Sequence, residues 1–240
     1  MKKLIYLISI LISLSVAHAT EQDSLFLAAQ KQYHSGNFAK AYLLFDGLIK
    51  EGYHSGNLYY NFANTCFEVG DIAKAIAYYE KALKLQPEDM GVKNNLRYAR
   101  KELGMDEERK EGLLPIWFKK NIYIFTFWFF WGALFLTAFY FIQNRGQKSR
   151  RYKLFLIVLA SITILLVFQS IQTYLQQRKV FAIVQGDLHI HQHSTTFSPE
   201  VYEVFAGQKI EVMQSKNGWV KIKADGGKPG WIPSYYLIEI

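Results

Sequence analysis

The sequence predicts a multidomain membrane protein that consists of an α-solenoid of helix-turn-helix repeats, a two-helix transmembrane hairpin and a small all-β barrel. Three observations predict this fold class. A 34-residue spacing recurs between residues 22 and 89, two long segments without charged residues follow it, and the C-terminal region alternates short strand-like runs with turns. A chain of 240 residues has room for two small domains and these membrane segments.

Residues 1–19 have the three parts of a secretory signal peptide. Lys2 and Lys3 precede an apolar stretch over residues 4–16, and Ala17-His18-Ala19 fits a small-x-small cleavage site. We expect cleavage after Ala19, and the alternative is an uncleaved N-terminal anchor. In both cases the domain that follows is expected to be exported from the cytoplasm.

The repeat spacing predicts pairs of helices joined by tight turns. A 34-residue shift superimposes Gly36-Asn37 on Gly70-Asp71, and apolar residues recur at helical spacing on both sides of the second turn. The stretch FEVGDIAKAIAYYEKALKLQP closely resembles a tetratricopeptide (TPR) repeat, a family with this same period, and GNFAKAYLLFDGLI is a looser copy. The predicted TPR domain covers residues 20–111, with repeats over 22–55 and 56–89 and an amphipathic capping helix over 90–104.

The TPR resemblance implies that the first helix of each repeat lines a concave surface that binds proteins. In the second repeat, the helix face opposite the packed stripe carries Asn57, Tyr60, Asn61, Asn64 and Glu68. The 34-residue register maps this face onto Asp23, Phe26, Leu27, Gln30 and His34 of the first repeat. We expect these residues to contact a partner protein, and the alternative is an ordinary solvated helix face.

Two apolar segments predict transmembrane helices. Residues 122–142 and 154–175 contain no charged residue, and at about 1.5 Å per residue each can cross the ~30 Å hydrocarbon core of a bilayer. The connecting segment, residues 143–153, contains five basic residues and no acidic residue, which favours a cytoplasmic loop. Basic residues also flank the outer ends, so the signal peptide decides the orientation. Both soluble domains are expected on the periplasmic side of a bacterial inner membrane.

The net charge of +8 belongs to this membrane region. Residues 113–179 contain nine Lys and Arg and no acidic residue, whereas residues 20–112 and 180–240 are slightly acidic. Nucleic-acid binding needs a basic face on a folded domain. We therefore expect a membrane protein with no nucleic-acid partner.

The C-terminal region, residues 180–240, predicts a small β-barrel, because VFAIV, DLHIH, KIEVM, GWVKIK and GWIPSYYLIEI are short runs separated by turn residues. The pattern AGQKIEVM, NGWVKIK and GKPGWIPSYYL resembles a bacterial SH3-type domain, with Gly218-Trp219 and Gly230-Trp231 near strand starts. The resemblance implies binding of peptides, including cell-wall peptides. We expect Trp219 and Trp231 in the core or at the edge of the barrel rather than as ligand platforms. The predicted ligand groove runs along Tyr235 and Tyr236, with Trp231 as its third residue.

The segment HIHQH is the one constellation with metal-binding chemistry. Alternate residues of a strand share a face, so His189, His191 and His193 could converge on zinc or copper. No cysteine is nearby, and we expect no nearby carboxylate to complete a closed tetrahedral set. We expect an exposed polar strand face, with no metal and no other cofactor.

No residue pattern indicates an enzyme. The only cysteine, Cys66, falls on the apolar stripe of a helix, where a thiol is expected to pack rather than react, and its being the only one excludes an intramolecular disulfide. No serine or pair of carboxylates stands in a recognisable catalytic context.

The order of the domains over the whole chain resembles the BatE proteins of the Bacteroides aerotolerance (Bat) operon family. The resemblance implies membrane partners that include von Willebrand factor A-type Bat proteins and a MoxR-type ATPase system, with a role in aerotolerance or envelope stress. The sequence favours a non-enzymatic scaffold that holds envelope proteins through its TPR groove and its SH3-type barrel. The alternative is a sensor or adaptor that binds peptidoglycan peptides.

Overall fold

The computed structural model describes residues 22–105, 121–143, 150–223 and 227–240. The predicted signal peptide, residues 1–19, and most of the predicted basic loop, residues 143–153, lie outside the described residues. The chain forms two compact units. One contains the repeat helices and the C-terminal sheet, and the other contains the two long apolar helices.

Five helices form the repeat domain, which we define as residues 22–105. They are α1 (22–34), α2 (Phe38–Lys50), α3 (Gly56–Glu68), α4 (Ile72–Leu85) and α5 (Met90–Glu102). α1 with α2 and α3 with α4 are the two predicted helix pairs, and α5 follows them as a further helix at the position predicted for the cap.

The two pairs turn at glycines that occupy equivalent positions in the repeat register. Gly36 and Gly70 have φ angles of +76° and +83°, a conformation in which a Cβ atom is unfavourable. The next residues, Asn37 and Asp71, donate their backbone N–H back to carbonyl oxygens of the preceding helix, each at 2.9 Å. This arrangement satisfies carbonyls at the helix end and directs the chain back along the same helix.

Side-chain oxygens cap the N-termini of α3, α4 and α5. Ser55 accepts from the backbone N–H of Leu58, Asp71 from Lys74, and Asp89 accepts from the third residue after it, at 3.0–3.3 Å. Each such cap satisfies one of the donors that an α-helix leaves free at its N-terminus. The helix starts are therefore determined by short-range contacts.

The core of the repeat domain is built on alanines and rings. Ala41, Ala63 and Ala75 are fully buried, so neighbouring helices approach closely around Phe45 and Phe62. Cys66 is fully buried as well, in agreement with its place on the predicted apolar stripe. Burial raises the pKa of its thiol well above the ordinary value, so the thiol is held in its unreactive, protonated form.

The β-domain, residues 180–240, is one antiparallel sheet. Its strands are β1 (Val180–Val184), β2 (Leu188–His191), β3 (Glu200–Val204), β4 (Lys209–Lys216), β5 (Trp219–Lys223), β6 (Gly230–Pro233) and β7 (Leu237–Glu239), with a 3₁₀ turn over Ser234–Tyr236 before the last strand. The strand order is β3-β2-β6-β5-β4-β1-β7. Its inner face buries eight apolar side chains, Ala182, Val184, Ile190, Val204, Ile210, Val220, Ile222 and Ile232.

The strand β3 is absent from the sequence prediction. Its residues, EVYEV, are mostly exposed in the structure, and the sequence shows only a weak alternation of apolar and polar residues there. The strand forms through pairing, because Val204 lies opposite Leu188 and Tyr202 opposite Ile190 in β2. A long-range partner therefore supplies what the local pattern lacks.

The two long apolar helices form the second unit. They are α6 (Ile122–Gln143) and α7 (Arg150–Gln177), and they contact each other through a hydrogen bond of 2.9 Å between the hydroxyls of Thr126 and Ser170. Each contains a segment long and apolar enough to cross a membrane, Ile122–Phe139 and Leu154–Leu175. At most 6% of either segment is buried within the protein. Packing of the two helices on each other therefore leaves most of their apolar side chains exposed.

Candidate functional site

The helices α3 and α5 together form a polar stripe on the surface of the repeat domain. The structure brings together residues of α3 and α5 that are 31 to 35 positions apart in sequence: the side-chain amide of Asn95 donates to Oδ1 of Asn64 at 2.9 Å and to the hydroxyl of Tyr60 at 3.2 Å. Asn64 and Tyr60 are two of the predicted groove residues. They are half-buried and therefore accessible from one side.

Asn64 also connects this surface to the core. Its Oδ1 accepts a hydrogen bond of 2.6 Å from the hydroxyl of Tyr79 on α4, and only 2% of Tyr79 is exposed. Burial raises the pKa of that hydroxyl well above its ordinary value, so it stays protonated and donates. Asn64 is thus a structural residue as well as a surface residue.

A second pair of amides continues the stripe toward the start of α3. Nδ2 of Asn61 donates to the backbone carbonyl of Asn57 at 2.8 Å, and Oδ1 of Asn57 accepts from Nε2 of Gln86 at 3.4 Å. Each bond orients an amide without using all of its donors and acceptors. Within the described part of the chain, Nδ2 of Asn57, Nδ2 of Asn64 and Oδ1 of Asn61 have no hydrogen-bond partner.

We call the set Asn57, Tyr60, Asn61, Asn64 and Asn95 the amide row. Asn95 was not among the predicted groove residues, although the 34-residue register maps Asn61 onto it. Extending that register into the predicted capping helix would have found it. Glu68 lies at the exposed C-terminal end of the same helix face.

The predicted groove residues of the first repeat differ in their surroundings. The ring of Phe26 packs edge-to-face on buried Phe45, with centroids 5.8 Å apart, so it contributes to the core of the first repeat. Asp23 and His34 are exposed and Gln30 is half-buried. Nothing in the described structure joins these side chains to the amide row by a hydrogen bond, in contrast to Asn95.

The outer face of the β-domain carries a group of rings. In the sheet His191 lies opposite Trp231 and Trp231 opposite Lys221, while Trp219 lies opposite Pro233. Residues directly opposite share a face, and the rings of His191 and Trp219 meet edge-to-face with centroids 5.7 Å apart. Both tryptophans are half-buried, so they lie on the outside of the sheet and not in its core.

The tyrosine pair predicted for the groove follows directly after this face. Tyr235 and Tyr236 belong to the 3₁₀ turn, their ring centroids are 4.4 Å apart, and 75% of Tyr235 is exposed. A hydrogen bond to Tyr236 is the main reason why the pKa of Tyr235 is raised. The three predicted groove residues of the β-domain are thus all accessible.

The three histidines do not converge. Nδ1 of His189 lies 3.2 Å from a carboxylate oxygen of Glu200 and 3.4 Å from one of Glu203, both on β3. His191 turns instead toward Trp219, and His193 lies beyond the end of β2, where its backbone bonds Ser198. The described ranges contain no group of three or more His, Cys, Asp or Glu side chains arranged to hold a metal ion.

Comparisons with known proteins match two parts of the chain. Residues 56–89 match the family model of the tetratricopeptide repeat and residues 186–238 that of the bacterial SH3 domain. The chain is 28% identical over 79 residues to human "Tetratricopeptide repeat protein 16". This stretch is 33% of the chain but only 9% of the human protein, so the chain spans a small part of that relative.

Among solved structures, the chain is similar to the type III secretion translocator chaperone SycD of Yersinia enterocolitica. In one structure of that chaperone the TM-score is 0.34, with 12% identity over 65% of this chain and 94% of the chaperone. A second structure, of the chaperone with a peptide of the translocator YopD, has a TM-score of 0.33 at the same identity. The two family models by themselves identify a tetratricopeptide repeat in the helical domain and a bacterial SH3 domain in the sheet domain.

Proposed function

We propose that the protein is a membrane-anchored, non-enzymatic scaffold whose amide row binds an extended segment of a partner protein. The observation that carries the proposal is that hydrogen bonds within the fold hold these amides in place while leaving Nδ2 of Asn57, Nδ2 of Asn64 and Oδ1 of Asn61 available. A side-chain amide has the same donor and acceptor groups as a peptide bond. Amides that are already oriented bind a backbone with a smaller loss of side-chain entropy.

The partner class follows from the resemblance to BatE proteins. By that resemblance the partners are envelope proteins, namely von Willebrand factor A-type Bat proteins and a MoxR-type ATPase system, and the role is in aerotolerance or envelope stress. The matches to a TPR and an SH3 domain support interaction with proteins or peptidoglycan. Neither match extends to the choice of partner.

The absence of an enzymatic role is part of the proposal. Cys66 is the only thiol of the chain and is fully buried. A nucleophilic cysteine needs an accessible and electropositive setting. The burial of Cys66 therefore supports a binding function over a thiol-dependent one.

For the membrane arrangement, we propose that α6 and α7 cross the inner membrane as a hairpin with both soluble domains in the periplasm. The length and composition of the two helices support this. The β-domain packs on α4, which supports one compartment for both domains. Two membrane crossings between the domains return the chain to the side from which it started. A phosphatase reporter fused after Gly112 or Ile240 should be active and one fused at Gly146 inactive. The opposite pattern would reverse the orientation.

A photoreactive amino acid placed at single positions tests the binding surface. Asn57 on α3 and Lys84 on α4 are both exposed, but only Asn57 belongs to the amide row. In intact membranes we expect an envelope protein to be cross-linked from position 57 and not from position 84. Asn61→Ala should reduce this cross-linking about fivefold, the equivalent of one hydrogen bond of ~1 kcal/mol. Equal cross-linking from both positions would exclude the amide row as the site.

The alternative function, binding of peptidoglycan peptides, has its own supporting observation. Trp219, Trp231, Tyr235 and Tyr236 present four accessible rings on or beside one face of the β-domain, and accessible aromatic residues are common in binding surfaces. Sedimentation with purified peptidoglycan separates the two functions. If the protein sediments with peptidoglycan and Trp231→Ala abolishes this, the sensor function is favoured. If the protein does not sediment with peptidoglycan, the scaffold function is favoured.

A further inference from the structure

We infer that the β-domain is the cap of the TPR stack and that it holds the amide row in its binding geometry. A stack of helical repeats must cover the apolar face of its last unit, and the sequence predicts that the helix at residues 90–104 does so alone. The structure shows a second covering element. Strands β1 and β7 pack on α4, and Ile183 and Ile240 are buried in the same apolar cluster as the repeat helices.

The burial of α4 shows why one helix is not a sufficient cap. Eight of its 14 residues are buried, including the consecutive run from Ala75 to Glu80. A run of six covers every side of a helix at 3.6 residues per turn. α3 and α5 cover two sides, and the β-domain covers a third.

Apolar contacts between the domains are close. A Cβ atom added at Gly207, in the turn before β4, would lie 2.6 Å from Cδ1 of Leu103 and 2.9 Å from Cδ1 of Ile76. Gly207 is itself buried. A side chain here would force the ends of the Leu103 and Ile76 side chains to move, so glycine favours this close approach of the turn to α4 and the end of α5.

A charged group on α4 connects all three elements. Glu80 is buried to 7% exposure, and its carboxylate forms ion pairs with Arg100 of α5 and with Nζ of Lys209 of β4, the latter at 2.8 Å. A carboxylate removed from water needs cationic partners and hydrogen bonds. One of the two cations belongs to the β-domain, so undocking would leave Glu80 with a smaller set of partners.

This interface reaches the amide row through α5. Asn95 lies on α5 and donates to Asn64 and Tyr60. Arg100 lies on the same helix and pairs with Glu80, and Leu103 at the end of that helix lies close to Gly207 at the interface. Docking of the β-domain therefore stabilises the helix that supplies Asn95. Binding of a partner at the row and docking of the β-domain then favour each other, because coupling between two sites is reciprocal.

Two glycines provide a matched test in the full-length protein. Gly207 and Gly218 have nearly the same φ, +80° and +78°, so alanine at either position imposes a similar backbone strain on the β-domain. A Cβ atom at Gly218 meets nothing within 4 Å, whereas one at Gly207 meets side chains of the repeat domain. Hydrogen exchange of the peptides covering α4 and α5, measured in detergent or nanodiscs, reports whether the cap is in place.

We expect Gly207→Ala to accelerate exchange in α4 and α5 about tenfold, while Gly218→Ala leaves it near the wild-type rate. Equal acceleration by both variants, or none by either, would overturn the inference. A second comparison avoids backbone strain. Lys209→Gln removes the cation that the β-domain supplies to Glu80 and leaves Arg100 in place. It should accelerate exchange in the same two helices, whereas Lys221→Gln on the outer face should not. No difference between the two lysine variants would also overturn it.

Discussion

Asn64 and Tyr79 form the contact in which the binding surface and the core share one hydrogen bond. Asn64→Ala removes the acceptor of the Tyr79 hydroxyl, which is almost fully buried. An unsatisfied buried hydroxyl costs about 1–3 kcal/mol, and urea denaturation of the repeat helices should show a loss of that size. Asn61→Ala, whose side chain bonds only a carbonyl of its own helix, should cost less than about 0.5 kcal/mol. If the loss arises from the hydroxyl, Asn64→Ala combined with Tyr79→Phe recovers most of it.

Cys66 and Tyr78 make the stability of the repeat domain sensitive to alkaline pH. Burial is the main cause that raises both pKa values, that of Tyr78 to about 12. Both groups are neutral below their unfolded pKa values, of about 8.5 and 10, and their folded pKa values lie higher. Their contribution to stability is therefore complete below about pH 8.5 and is lost as the pH rises toward about 12.

We accordingly expect the free energy of unfolding to fall between pH 8.5 and 11, measured by urea denaturation at several pH values. The thiol of Cys66 should remain unreactive to alkylation in the folded protein at pH 8 and react once urea unfolds it. Cys66→Ala should reduce the alkaline loss. Rapid labelling of the native thiol would contradict the burial that the structure shows.

At the scale of the element, the helix pair depends on a turn that accepts only glycine comfortably. Gly70 has a φ of +83°, and a Cβ atom there would meet nothing within 4 Å, so backbone conformation alone determines the effect of a substitution. Gly70→Ala should destabilise the repeat domain by about 1 kcal/mol. Gly47→Ala, inside α2 and also free of contacts at Cβ, should stabilise it by a similar amount because alanine favours helix. Thermal denaturation compares the two, and a loss of stability from Gly47→Ala would contradict this account.

At the scale of the whole molecule, the repeat domain and the β-domain share part of their cores. Ile183 is buried in the cluster that contains the repeat helices, whereas Ile190 is buried in the β-domain's own cluster. Ile→Val at a buried site typically costs about 0.5–1.5 kcal/mol. Ile183→Val should lower the stability of both domains, and Ile190→Val that of the β-domain alone, as read from hydrogen exchange of each. A repeat domain that responds equally to both variants would contradict a shared core.

The sequence alone determines features that depend on neighbouring residues. The repeat spacing and the helical periodicity are sufficient to predict α2 to α5, because helix hydrogen bonds join residues a few positions apart. The side-chain caps at Ser55, Asp71 and Asp89 act over the same short range. The same holds for the two long apolar segments, and for the accessible face of α3 that carries four of the five residues of the amide row.

Tertiary structure decided what depends on contacts between distant residues. Asn95 enters the amide row because α5 packs beside α3, and β3 exists because β2 pairs with it. Glu80 meets Lys209, which lies 129 positions away, only because the β-domain docks on α4. Local periodicity identifies which face of an element is apolar, but it contains no information about which surface of the molecule will cover that face. That choice is made by the packing of whole elements, where shape and charge of both partners act together.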